Sequence, residues 1–212
     1  MPRLGGDFDR NVFINCPFDA DFRPILEAIL FCLIDSGFEP RIASERLDSG
    51  EVRLDKIEQM IRESRYSIHD LSRLQAGKKG EYARLNMPFE LGLDYGLAQG
   101  GRGRLRDKRL LVIAQDPYKY QAALSDIAGW DIGTHRGEFD QAIRQVRNWL
   151  AATEGSIPAA SQIVGNYFGF QEWDYERLLA RGWDDLDIQE RPTPELLDSM
   201  REWIVAGRPM TF

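Results

Sequence analysis

At 212 residues and 43% hydrophobic, the chain has room for one domain with a substantial appendage and enough apolar residues for a proper core. Its net charge of −7 argues against a nucleic-acid surface as the main interaction. No early apolar stretch follows a basic start and no apolar run reaches membrane-spanning length, so a cytoplasmic protein with no membrane partner is expected.

In chain order, NVFIN (11–15) reads as a buried strand that stops at Pro17. FRPILEAILFCLIDSG (22–37) is apolar almost all round and ends in Gly37, as a buried helix does. FEPRIAS (38–44) is a second strand. After the turn residues Asp48, Ser49 and Gly50, a helix is expected with Val52, Leu54, Ile57, Met60 and Ile61 on one side. YSIHD (66–70) and RLLVIAQD (109–116) are the third and fourth strands. KYQAALSDIAG (119–129) reads as helix, WDIGTH (130–135) as a short edge strand, and 138–153 as an amphipathic helix carrying Ala142, Ile143, Val146 and Leu150. Cys16 and Cys32 fall in this apolar framework as small core residues of a reducing compartment. His69 and His135 are too far apart in sequence, and too few, to suggest a metal site.

Alternating strands and helices imply an α/β fold: a parallel sheet covered on both faces, in the flavodoxin-like order 2-1-3-4-5. This unit spans 1–152. From 153 to 212 the chain reads as a linker (153–162) and a helical C-terminal extension rich in aromatic residues, with Thr193 as N-cap and Pro194 as first helical residue. Two roles stay open for 160–212: a subdomain packed on the sheet unit, or a surface for a protein partner or a second copy of the chain. The basic stretch GGRGRLRDKR (100–109) reads as a solvated loop, since it lacks the strand and helix that frame a phosphate loop.

RLNMPFELGLDYGLAQG (84–100) stands apart. Surface helices scatter charge over their outer face, yet Glu90 and Asp94 are the only acids between Leu85 and Gln99, one helical turn apart. VFINCPFD (12–19) resembles the opening strand and Pro-containing loop of nucleoside 2-deoxyribosyltransferases, and MPFELGLDYGLA (87–98) resembles their catalytic-helix pattern. The arrangement is similar, more distantly, to Toll/interleukin-1 receptor (TIR) domains that cleave NAD. With "DSG…RLDKIEQMI" and HDLSR it also resembles bacterial TIR-like proteins. The resemblance covers residues 11 to about 150. It departs from the transferases in having Phe13 and Phe18 where a tyrosine is usual, and from TIR domains in lacking a tryptophan before the glutamate.

The resemblance implies that Glu90 acts at the ribose beside the base–sugar bond, with NAD or another nucleotide as substrate, no resident cofactor, and a role in bacterial defence. Chemistry supports the same assignment, because a positioned carboxylate stabilises or attacks the cationic sugar formed as an N-glycosidic bond breaks. Phe18 and Phe89 would exclude water around it. Alternatively, Glu90 only complements the helix dipole. Asn15, Pro17 and Asp19 are the candidate substrate contacts from the first strand. Asp48 and Ser49 are those from the second loop, where turn chemistry alone also explains them. Asp70 and Ser72 are those from the third strand, where simple capping stays open too. Asn86 either orients substrate or caps its helix, and capping is equally open for Asp19. Three functions follow: an N-glycosidic-bond-cleaving enzyme, a nucleotide sensor without turnover, or an assembly module.

Overall fold

The computed structural model describes residues 7–45, 48–74 and 83–210. Five parallel strands form one sheet in the order β2-β1-β3-β4-β5: β1 Asn11–Asn15, β2 Glu39–Ile42, β3 Tyr66–Asp70, β4 Arg109–Ala114 and β5 Gly133–Thr134. Helix α1 (Arg23–Asp35) begins with a proline in its first turn. It stops where Gly37 takes φ 82°, which lets the Phe38 N–H reach back 2.9 Å to the Leu33 carbonyl. Helices α2 (Arg53–Arg62), α3 (Asn86–Gly100) and α4 (Phe139–Glu154) complete the α/β unit.

Strand periodicity decides what each face holds. Val12, Ile14, Tyr66, Ile68, Leu111 and Ile113 pack toward α1 and α4, in one core with Ala142, Ile143, Val146 and Leu150. Phe13 faces the other way, onto Ile57, Met60 and Ile61 of α2, and Val112 packs with Met87 and Leu91 of α3. Three layers result. Among the described residues no helix is long and apolar enough to cross a membrane.

Three expectations are corrected. Val52 and Leu54 are exposed, because α2 starts only at Arg53 and turns its first residues away from the sheet. Residues 119–129 form two short 3-10 turns, Lys119–Ala122 and Ser125–Ile127, because Leu124 leaves helical geometry at φ −134°, ψ 65°. Thr193 is the first helical residue of α7 (Thr193–Val205) rather than its cap, and its hydroxyl meets Ser44 Oγ at 2.9 Å. Helix α5 (Ala160–Ala180) and α7 lie against α1, with the short α6 (Asp185–Glu190) between them in sequence: Phe31 meets the rings of Tyr167 at 5.3 Å, Phe170 at 5.4 Å and Trp203 at 5.7 Å. Most aromatic surface of the extension is therefore buried in the protein's own core.

Candidate functional site

The sheet register sets Asn15 beside His69, and both side chains turn toward α3. Asn15 Nδ2 donates to the Met87 carbonyl at 2.8 Å and to His69 Nδ1 at 3.0 Å. Since His69 Nδ1 accepts, its proton sits on Nε2, which donates to Asp94 Oδ2 at 3.1 Å. The other Asp94 oxygen lies 3.2 Å from Lys108 Nζ, which also donates to the Ile61 carbonyl at 2.9 Å and the Ser64 carbonyl at 2.6 Å. Burial opposes ionisation of Asp94, yet His69 and Lys108 together hold its carboxyl below the usual range. Burial pulls the Lys108 ammonium down, and Asp94 opposes that pull. Lys108 is thus a buried member of the basic stretch, while the Gly103–Asp107 segment before it is solvated as expected but wound into a 3-10 helix.

Glu90 lies between the starts of α2 and α3, near the ends of the parallel strands. It is 4% exposed, with Arg53 Nη2 3.7 Å from Oε1 and a hydrogen bond to the Asn86 side chain. Burial raises its carboxyl above the ordinary value, and Arg53 and Asn86 offset only part of that rise. Asn86 does not cap α3, which has no side-chain cap at all. Cys16, the residue after β1, is buried. Burial first, then the charges of Asp70, Glu90 and Asp19, push its thiol well up, which disfavours the thiolate.

The remaining candidates divide among three places. Asp70 is one residue out of step with His69, so it turns toward the α1 and α4 face. There Oδ1 accepts the Ser72 N–H at 2.8 Å and Oδ2 meets His135 Nε2 at 3.0 Å. Ser72 Oγ is 3.1 Å from the same nitrogen and accepts the Gln115 N–H at 2.8 Å. These three side chains resemble a nucleophilic triad in composition only. His135 Nδ1 accepts the Gly137 N–H at 3.1 Å, so the ring's one proton is on Nε2 and no basic nitrogen faces the serine. Asp19 accepts the Phe22 N–H at 3.2 Å at the start of α1 and pairs with Arg73 Nη2 at 3.0 Å, which holds its carboxyl down. Pro17 is buried. Phe18 (42% exposed) and Phe89 (58%) stand open to solvent instead of closing over Glu90. Asp48 and Ser49 lie in an exposed turn, where Asp48 Oδ1 accepts the Gly50 N–H at 2.9 Å.

The structure therefore gathers Asn15, Asn86 and Glu90 around the first turns of α3, and places Asp70 with Ser72 on the opposite face of the sheet. Asn15, Asp70 and Ser72 spend hydrogen bonds on the framework. Arg53, Arg73 and Lys108 carry no individual signal in the sequence, and His135 only a negative one, as a histidine without a metal cluster; the fold brings each to its partner. Among the described residues no group of three or more His, Cys, Asp or Glu could hold a metal ion. Comparison with known proteins finds no matching family model, no matching curated protein and no matching solved structure.

Proposed function

We propose that this protein cleaves the N-glycosidic bond of a nucleotide, NAD being the first candidate, with Glu90 as the carboxylate at the ribose. The observation that supports it is the cost of Glu90's placement. A carboxylate that only complemented a helix dipole would sit in water, whereas Glu90 is buried and electrostatically under-supported beside a sheet edge where ligands of parallel α/β folds bind. Such a carboxylate gains a partner when positive charge develops on the sugar: the electron pair of the breaking bond leaves with the base, and water adds to the sugar carbon with loss of a proton to solvent. Asn86 orients the carboxylate, and Asn15 holds the turn of α3 that carries it by binding the Met87 carbonyl. Activity of this kind fits a role in bacterial defence. The test is incubation of the purified protein with NAD, NADP and a nucleoside panel, with base release followed by chromatography. Release that persists in Glu90→Gln removes Glu90 from the chemistry, and no release from any substrate removes the enzyme reading.

A further inference from the structure

The basic stretch 100–109 has a place in the fold that the candidate site does not use. Helix α3 ends at Gly100, and a side chain at position 101 would run into the Leu97 carbonyl and Leu105. Only glycine lets the chain fold back this closely. The Gly103–Asp107 turn is thereby held against the last turns of α3, beside Trp130 and the start of β4. Between these elements is a surface hollow of about 700 Å³, within the range of small-molecule sites. Arg109 opens β4, so the hollow lies where the strands begin, and Glu90 lies near their other ends.

Two features of the hollow point to a ligand. One is uncompensated positive charge. Arg106 and Arg109 line it, are exposed, and donate only to backbone carbonyls: Arg106 Nε to Gly101 at 3.4 Å, Arg109 Nη1 to Lys108 at 3.0 Å and to Asp107 at 3.4 Å. Neither pairs with a carboxylate among the described residues, in a chain with 34 acids where Arg23, Arg41, Arg177 and Arg201 all do. Among the described residues no acid lines the hollow. Asp107 and Asp131 adjoin lining residues in sequence, but they are exposed and screened by solvent. Lys108 also lines it, with its ammonium committed inward to Asp94. The other feature is an aromatic pair. Tyr95 and Trp130 meet with ring centroids 5.0 Å apart and planes inclined at 51°, and Tyr95 is 43% exposed. Such rings stack a planar base, and two guanidinium forks match a phosphate monoester, which carries nearly two negative charges at neutral pH. The net charge of −7 works against a long polyanion and favours a single nucleotide.

We infer that this hollow binds a nucleoside monophosphate, its phosphate on Arg106 and Arg109 and its base against Tyr95 and Trp130. The site is separate from the proposed glycosidic chemistry and does not rest on it. Titration calorimetry on the full chain with AMP, adenosine and ribose 5-phosphate tests it. AMP should bind at least about tenfold more tightly than either of its parts. Arg106→Gln combined with Arg109→Gln, both at exposed positions, should bring AMP down to the affinity of adenosine with the melting temperature unchanged. Tyr95→Ala should bring it down to that of ribose 5-phosphate. Arg144→Gln, which loses only a pair with Asp140, and Glu90→Gln should both bind AMP as the parent does. Four outcomes overturn the assignment: no AMP binding at millimolar concentration, unchanged affinity in the double arginine variant, loss of binding in Glu90→Gln, or a short single-stranded oligoadenylate binding far more tightly than AMP.

Discussion

Glu90 and Asp94 are the same chemistry one turn apart on α3, and the protein treats them oppositely. Asp94 is fully buried with a histidine and a lysine to answer it, and its carboxyl is held low. Glu90 is nearly as buried, with one distant guanidinium and an amide, and its carboxyl is held high. The first arrangement ties α3 to β3 and to the start of β4. The second leaves a charge wanting a partner at the edge of the sheet. Burial alone does not mark a functional group; burial without full compensation makes a candidate for one.

The largest effect should come from breaking the compensated end. Asp94→Asn leaves Lys108 buried without its counter-charge, and should cost about 3–5 kcal/mol in denaturant unfolding. Lys108→Met strands Asp94 in the same way. The double variant should lose clearly less than the sum of the two, since each single change leaves an uncompensated charge that the other removes. Additive losses would mean that Asp94 and Lys108 do not act as a pair. The pH dependence has a definite sign: a lowered carboxyl contributes stability that is present above its unfolded pKa and is lost as pH falls through the folded value.

Next comes Glu90→Gln. If Glu90 stabilises a cationic sugar, turnover should fall about a hundredfold or more, roughly 3 kcal/mol of barrier, while nucleotide affinity by calorimetry survives. A loss of affinity with no turnover in either protein favours a sensor. Stability should move the other way. A raised carboxyl is a stabilising contribution only below its unfolded pKa, and that contribution is lost as pH rises through the folded value. Glu90→Gln should therefore melt higher than the parent at about pH 7.5, with the gap closing near about pH 4. A lower melting temperature at neutral pH would show Glu90 to be structurally supported, as Asp94 is.

Much of the fold was legible because apolar runs such as NVFIN and YSIHD are bounded by clear breakers, and their alternation with helices leaves few sheet orders. The 119–129 segment misled because Tyr120, Leu124 and Ile127 recur at helical spacing while serving two separate turns. At the site, Glu90's isolation among apolar residues was visible. That Asp70 would face away from Asn15 was also available in principle, since adjacent positions of a strand alternate and Asn15 pairs with His69. Lys108 was hidden: four arginines share its stretch, and only the three-dimensional return of β4 to Asp94 distinguishes it from them.

The smallest effect tests the weakest contact. Arg53 is 56% exposed in its side chain and 3.7 Å from Glu90, so solvent and salt screen the pair. Arg53→Ala should change stability by less than about 1 kcal/mol. Its electrostatic consequence should still be readable, because Arg53 is the larger of the two influences holding Glu90 down against burial. Removing it should raise the Glu90 carboxyl further. In an active enzyme that needs Glu90 ionised, the acid limb of the pH–rate profile would move to higher pH. Added salt should shift the parent in the same direction and leave Arg53→Ala in place. Arg62→Ala, which loses only an exposed pair with Glu58 on α2, is the control and should leave the limb where it was. A carbon-detected NMR titration of the Glu90 carboxyl reads the same shift without turnover. If neither the limb nor the titration moves, Glu90 is tuned by burial alone and Arg53 is an ordinary surface arginine.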